Sequence, residues 1–162
     1  MDAAFSRYDV SILEGYGRFL AAQSRVFGPI ESALEAAGIE ALVEDWPLRR
    51  RAARLTADLE DLGVSIGFPA VSAPALSGPA AVLGALYVLE GSRMGGALLR
   101  RALPPGAPAR FLADDDRAAR WRVLMDLLDQ RLADPQELDV AVTSARAVFH
   151  AFLAAADFRT AA

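Results

Sequence analysis

The sequence predicts an all-α fold. Three observations carry the prediction. Apolar residues recur at three- and four-residue spacing along most of the chain, which is the period of one helix face. Clusters of proline and glycine divide it into helix-length pieces. No segment alternates apolar and polar residues with the β-branched content that a strand requires. The expected architecture is a compact helical bundle of about six helices, with residues 1–162 forming a single domain around one core.

The first helix is expected from about Ser11 to Ala37. Leu13, Tyr16, Phe19, Leu20, Val26 and Phe27 form its apolar stripe, and Gly38 stops it. Pro29 lies inside this run and is expected to kink the helix or end it early, because proline has no N–H to donate. A second helix follows Asp45 as N-cap, has Pro47 in its first turn and continues to Leu62, before Gly63. Arg49, Arg50, Arg51 and Arg54 are expected to form its polar face. Residues 63–76 hold Pro69 and Pro74 and read as a loop. A long helix, capped by Ser77 with Pro79 near its start, is expected to reach about Leu103. Pro104, Pro105, Gly106 and Pro108 then interrupt the chain. Asp114, Asp115 and Asp116 sit where negative charge favours a helix N-terminus. The helix they open carries Trp121, Leu124, Leu127, Leu128 and Leu132. Asp134-Pro135 opens the last helix, with Leu138, Val142, Val148, Phe149 and Phe152.

Composition narrows the function. The chain has no cysteine, which removes disulfides, thiolate metal sites and cysteine nucleophiles. All 17 of its basic residues are arginine, and this reads with the alanine abundance as a compositional bias. A net charge of -4 argues against general nucleic-acid binding. The N-terminus shows no basic region followed by an apolar stretch, and no long apolar run is free of charge and proline. No signal peptide or membrane span is therefore expected, and the expected location is the cytoplasm. A single histidine, His150, makes a serine triad improbable and reads as a helix-surface or satisfied core residue. Glu-x-x-His pairs, phosphate loops and Gly-x-Ser-x-Gly elbows are absent.

Glycines in the predicted third long helix stand out. Each glycine in a helix interior costs about 1 kcal/mol relative to alanine. Gly84, Val88, Gly91 and Gly95 fall near one face, leaving it almost bare backbone. Such a face suits close packing against another helix. From spacing alone such packing is the first reading; the second is a flat ligand, with Gly95-Gly96 allowing a kink and Arg93, Arg100 and Arg101 meeting carboxylates at the rim.

The segment Tyr87-Val88-Leu89-Glu90-Gly91-Ser92-Arg93-Met94-Gly95-Gly96 resembles the distal-helix signature of bacterial heme oxygenases, the biliverdin-producing type found beside bacteriophytochromes. Phe5-Ser6-Arg7-Tyr8-Asp9, the stretch Gly15 to Gln23, Glu31 and Leu34, Asp45-Trp46 through Arg54, Asp58-Leu59, Leu62-Gly63 and Arg120-Trp121-Arg122 are similar to other parts of that family, in the same order. The resemblance implies an all-α heme oxygenase-like fold and the oxidative opening of heme to biliverdin, iron and carbon monoxide. Heme would be both substrate and cofactor, and O2 and an external electron donor would be required.

The resemblance further implies heme contacts at Tyr87, Gly91, Ser92, Met94, Gly95 and Gly96, and propionate contacts from Arg18, Arg100 and Arg101. Gly91, Gly95 and Gly96 would restrict bound oxygen. Asp114, Asp115, Asp116 and Glu90 are the candidates for ordering a proton-delivering water, with Glu90 also readable as a partner for a helix end or an arginine. Asp2 resembles the acidic residue that follows the family's iron-ligating histidine, so that histidine would fall just before Met1, and no metal ligand is assigned in this chain. The acidic run after Phe111 also departs from the family's glycine- and tyrosine-containing segment. Residues 1–162 are therefore expected to bind heme weakly or not at all. Two explanations stay open: a start placed at an internal methionine, or a degenerate member that no longer ligates iron. In the second case the fold would be a non-catalytic module for a bilin, another planar ligand or a partner protein, redox or regulatory. The run Arg49, Arg50, Arg51 and Arg54 suggests a third role, docking an acidic partner.

Overall fold

The structure, a computed structural model, describes residues 7–65, 69–113 and 116–157. The described residues contain seven α-helices, one short 3-10 turn and no strand. They are α1 (Leu13–Ala36), α2 (Trp46–Arg49), α3 (Ala52–Asp61), α4 (Gly78–Gly91), α5 (Gly96–Ala102), α6 (Arg117–Arg131) and α7 (Pro135–Asp157), with the 3-10 turn at Ile39–Ala41.

The most apolar helix is the one at the centre. In α4 every residue from Ala80 to Leu86 is buried, and so are Val88, Leu89 and Glu90. A helix that is apolar all round has no solvent face and must be surrounded. Its most extensive partner is α7, and α1 and α6 also pack on it. The core joins Tyr16, Phe27, Ile30 and Leu34 of α1 to Leu55 and Leu59 of α3, Leu83 and Leu86 of α4, and Val148 and Phe152 of α7. The Phe27 ring meets Phe111 and Phe152 edge-on at 5.1 and 5.6 Å between centroids, the favoured aromatic geometry. By length and composition α7 could cross a membrane over Pro135–Ala156. It sends Val148, Phe152, Ala155 and Ala156 into this core, while Leu138, Val140, Val142 and Leu153 stay exposed.

Several boundaries follow the sequence expectations. Helix α1 runs within the expected bounds, and Gly38 ends it at a φ of 80° that only glycine adopts freely. Asp134 caps α7, its Oδ1 accepting the Gln136 N–H at 2.7 Å. Asp116 occupies the N-cap position of α6 and makes no side-chain cap bond; its carboxylate lies 3.7 Å from Arg120. Ser77 precedes α4 likewise without a capping bond. Asp114 and Asp115 lie outside the described residues.

Three expectations are corrected. Pro29 does not end α1, which continues to Ala36. The Arg25 carbonyl that proline cannot serve accepts the Val71 N–H at 3.0 Å, so the incoming loop supplies the missing donor. The expected helix Asp45 to Leu62 is two helices, split at Arg50 and Arg51. The buried Glu31 carboxylate accepts the Arg51 N–H at 2.7 Å and the Ala52 N–H at 3.1 Å, so α1 provides the cap for α3. The expected helix from Ser77 to Leu103 is also two, interrupted at Ser92–Gly95.

Candidate functional site

The interruption between α4 and α5 is a change of backbone hydrogen bonding. In a continuous α-helix the Arg93 N–H would donate to the Leu89 carbonyl. Here it donates to Glu90 at 3.0 Å, Met94 N–H to Gly91 at 3.1 Å and Gly96 N–H to Arg93 at 2.9 Å. This run of i→i+3 bonds tightens the turn and strands the Leu89 carbonyl. Two donors take it: Ser92 Oγ at 2.6 Å and Arg51 Nη2 at 2.7 Å. Arg51 Nη2 also reaches Ser92 Oγ at 2.5 Å.

Beneath this turn lie charges. Glu90, buried, accepts from Arg93 Nε at 3.0 Å and lies 3.3 Å from Arg49 Nη1. Arg93 Nη2 donates to the Arg49 carbonyl. Arg49 Nε also holds Asp45 at 2.6 Å. A buried carboxylate between two guanidiniums is the arrangement that makes its burial tolerable. The Arg51 guanidinium lies over the rings of Phe27 and Phe111, at 4.4 and 4.9 Å from their centroids. Asp58, fully buried, accepts the Phe111 N–H at 2.9 Å and the Arg110 N–H at 3.1 Å, fixing the loop that carries Phe111.

The predicted arginine face is therefore not a face. Arg49 and Arg51 are inside the protein, Arg50 pairs with Glu35 at 2.9 Å, and Arg54 donates to the Ala113 carbonyl. Arg93 is likewise buried rather than at a rim. The sequence carried a signal for this arrangement in the pairing of Glu31 and Glu90, buried-helix acids, with a cluster of arginines that they could neutralise. It did not show which arginines turn inward.

The glycine stripe divides. A Cβ on Gly84 would lie 2.0 Å from the Ala141 carbonyl oxygen, so this glycine lets α7 cross α4 backbone to backbone; here the flat-ligand expectation for the stripe is corrected. At Gly91 the nearest foreign atoms are those of the Trp121 ring, at 3.8 Å, and at Gly96 the Leu112 carbonyl, at 3.7 Å. A Cβ on Gly95 would meet nothing within 4 Å beyond its own chain neighbours and helix backbone. Met94 is half exposed and Leu98 is 73% exposed.

Past the α4–α7 crossing the helices leave a largely apolar cavity of about 540 Å³. Gly84 and Tyr87 of α4, Leu128 of α6, and Ala145, Arg146 and Phe149 of α7 are among its walls. The Tyr87 ring is 5.4 Å from that of Trp121, the ring beside Gly91. Among the predicted contact residues, Tyr87 alone borders this cavity. The Ser92 hydroxyl is turned inward to Leu89 and Arg51. Arg18 is exposed and paired with Glu14 at 2.6 Å, and Arg100 and Arg101 are exposed on α5. His150 is exposed on α7 and does not line the cavity. The charged residues lining the cavity are Arg146 and Asp129, neither of which stands out in the sequence.

A heme oxygenase of Xanthomonas campestris pv. campestris (strain 8004) is 33% identical to this chain over 144 residues, covering 85% of the chain and 86% of the relative. The chain belongs to the heme oxygenase family. Its fold matches that of the NO- and CO-bound heme oxygenase from Neisseria meningitidis, with a TM-score of 0.73 and 24% sequence identity, over 92% of this chain and 80% of that one. No family profile matches the chain. The all-α architecture expected from periodicity is thus the architecture of a heme oxygenase, and the Tyr87–Gly96 signature sits at the break of its central helix.

Proposed function

We propose that this heme oxygenase-family chain holds heme in the cavity between α4, α6 and α7, extending past Tyr87 and Trp121 toward the glycine-bearing break of α4, which does not itself line the cavity, and opens it oxidatively to biliverdin. The observation that carries the reading is the cavity itself. It is largely apolar, shares α4 with the glycine break and has two charged residues in its wall, Arg146 and Asp129, of which Arg146 can meet a carboxylate. Such a space suits a flat macrocycle whose carboxylates need a cation. When bound, heme supplies both the scissile ring and the oxygen-activating iron.

The chain's own residues shape that space. Trp121 and Tyr87 offer aromatic surface beside Gly91. Gly95, with open space around it, lets a ligand approach the backbone closely. Met94 continues this surface, whereas Gly96 is buried beneath Leu112 and Ser92 supports the turn from within. Glu90 is a structural counter-ion for Arg49 and Arg93 in this reading, and of the acidic candidates Asp116 pairs with Arg120.

One observation favours the second reading, a non-catalytic site for a bilin or other planar tetrapyrrole. Among the described residues lining the cavity none carries an imidazole, thiolate or thioether, and Tyr87 is the one side chain of a type that ligates heme iron. The reading of the cavity as a tetrapyrrole site is common to both.

Titration of the purified protein with hemin, read by absorption, tests them together. A saturable Soret band that is lost in Gly95→Leu and in Ala145→Trp, each folded by circular dichroism, supports the site. Conversion of the bound hemin to a red-absorbing bilin on addition of a reductant in air supports the enzyme. Binding of biliverdin without any specific hemin spectrum supports the second reading. Unchanged affinity for both tetrapyrroles in both variants refutes the site.

A further inference from the structure

The break in α4 has a support of its own, in a residue outside the glycine segment. A run of i→i+3 bonds is poorer than the α-helical ladder, and the chain from Glu90 to Gly96 would return to the ladder unless something held the Leu89 carbonyl. The Arg51 guanidinium does so, at 2.7 Å, and bridges to Ser92 Oγ at 2.5 Å. It is a rigid support. Its plane rests on Phe27 and Phe111, its backbone N–H is held by Glu31, and Phe111 is in turn held by Asp58.

We infer that Arg51 is a positioning residue for the glycine segment: by occupying the acceptor that a continuous helix would use, it keeps α4 broken at Ser92 and turns Gly95 and Gly96 off the α4 ladder. Arg51 touches no ligand in this scheme. It acts through Leu89 and Ser92, and its importance for heme rests on the reading of the site given above. A lysine in its place would retain one donor but neither the planar stack nor the fork that spans carbonyl and hydroxyl.

Isotope-labelled apoprotein tests this directly, through scalar couplings across hydrogen bonds. The wild type is expected to couple the Arg93 amide nitrogen to the Glu90 carbonyl carbon. In Arg51→Met the coupling moves to the Leu89 carbonyl carbon, the Gly95 and Gly96 amide resonances shift, and hemin affinity drops about tenfold, the scale of one charge-assisted hydrogen bond. Arg51→Lys falls between the two. An Arg51→Met protein in which Arg93 remains coupled to Glu90 overturns the inference, whatever its hemin affinity. A switched coupling with unchanged hemin affinity upholds the support and instead overturns the reading that a flat ligand rests on this segment. If Arg51→Met does not fold, Arg51→Lys and Ser92→Ala carry the same measurement, and a wild-type coupling pattern in both overturns the inference.

Discussion

Alanine at Gly84 and alanine at Gly91 should move stability in opposite directions, although both replace a glycine on the same helix. A methyl on Gly84 would sit 2.0 Å from the Ala141 oxygen, 2.7 Å from its carbonyl carbon and 2.9 Å from its Cα. The obstacle is backbone within a 23-residue helix, so no rotamer change relieves it. The α4–α7 crossing must open by about 1.4 Å to restore ordinary contact, and a gap of that order forfeits a sizeable part of the dispersion attraction along the interface. Overpacking of this kind costs about 1–3 kcal/mol, and the extent of the α4–α7 contact puts Gly84→Ala near the upper end. Helix propensity returns about 1 kcal/mol. The net expectation is a loss of about 2 kcal/mol, or a fall in Tm of about 4–8 °C for a chain of this size. At Gly91 the nearest atoms are the Trp121 ring at 3.8 Å, so a methyl fits and the propensity term stands alone. Gly91→Ala should gain about 0.5–1 kcal/mol in the apoprotein. Thermal and urea unfolding followed by circular dichroism measure both. A Gly84→Ala protein as stable as Gly91→Ala would refute the backbone-to-backbone crossing.

Two further predictions concern the buried acids. Glu90→Gln leaves Arg49 and Arg93 without their shared counter-ion and should cost about 3–5 kcal/mol, a fall in Tm of roughly 10 °C or more; an unchanged Tm with lost turnover would instead mark Glu90 as catalytic. Burial pushes the Glu31 carboxyl above its ordinary value of 4.5, outweighing the N–H bonds from Arg51 and Ala52 and the charges of Arg51 and Arg50, which pull it down. Since the folded state then binds the proton more tightly than the unfolded state, this contribution to stability is complete below the ordinary glutamate range and is lost as pH rises through the raised value. The unfolding free energy of the wild type minus that of Glu31→Gln should accordingly fall as pH rises from about 4.5, and a flat or rising difference in urea titrations would contradict the assigned shift.

What the sequence showed plainly was local. The stripe from Leu13 to Phe27 marks α1, Gly38 its end, and Asp134 the start of α7, because each depends on residues within a turn of one another. The errors all have distant causes. Pro29 is harmless because Val71 reaches its orphaned carbonyl from a loop more than forty residues away. The split at Arg50 exists because Glu31 caps α3 from another helix. Arg49 and Arg51 turn inward because Glu90, Leu89 and two phenylalanine rings receive them. A pattern of arginines after a proline-led turn looks like a solvated surface until the partners are placed. The site was half legible. The glycine motif and a kink near Gly95 could be read from spacing and resemblance, whereas the cavity walls on α6 and α7, with Leu128, Arg146 and Phe149, required the helices to be brought together.

The four glycine-helix positions also show that one sequence pattern can meet two opposed physical demands. Gly84 is needed because something comes too close, and Gly95 stands where nothing does. Between them, at Leu89, the chain leaves its hydrogen-bond ladder, and the carbonyl set free is taken by Arg51 and Ser92. The crossing at Gly84, midway along α4, holds that part of the helix against α7, so a change in the ladder at Leu89 is expressed beyond it, in residues 92–96. The geometry of that segment is therefore set by residues far earlier in the chain: Glu31 holding the Arg51 backbone, Phe27 beneath its guanidinium, and Asp58 fixing the Phe111 that covers it. A ligand surface made of bare backbone has no side chains with which to tune itself. Its shape has to be imposed from the other side of the helix, and the charged, buried cluster of α1, α2 and α3 is the part of this fold we propose for that role.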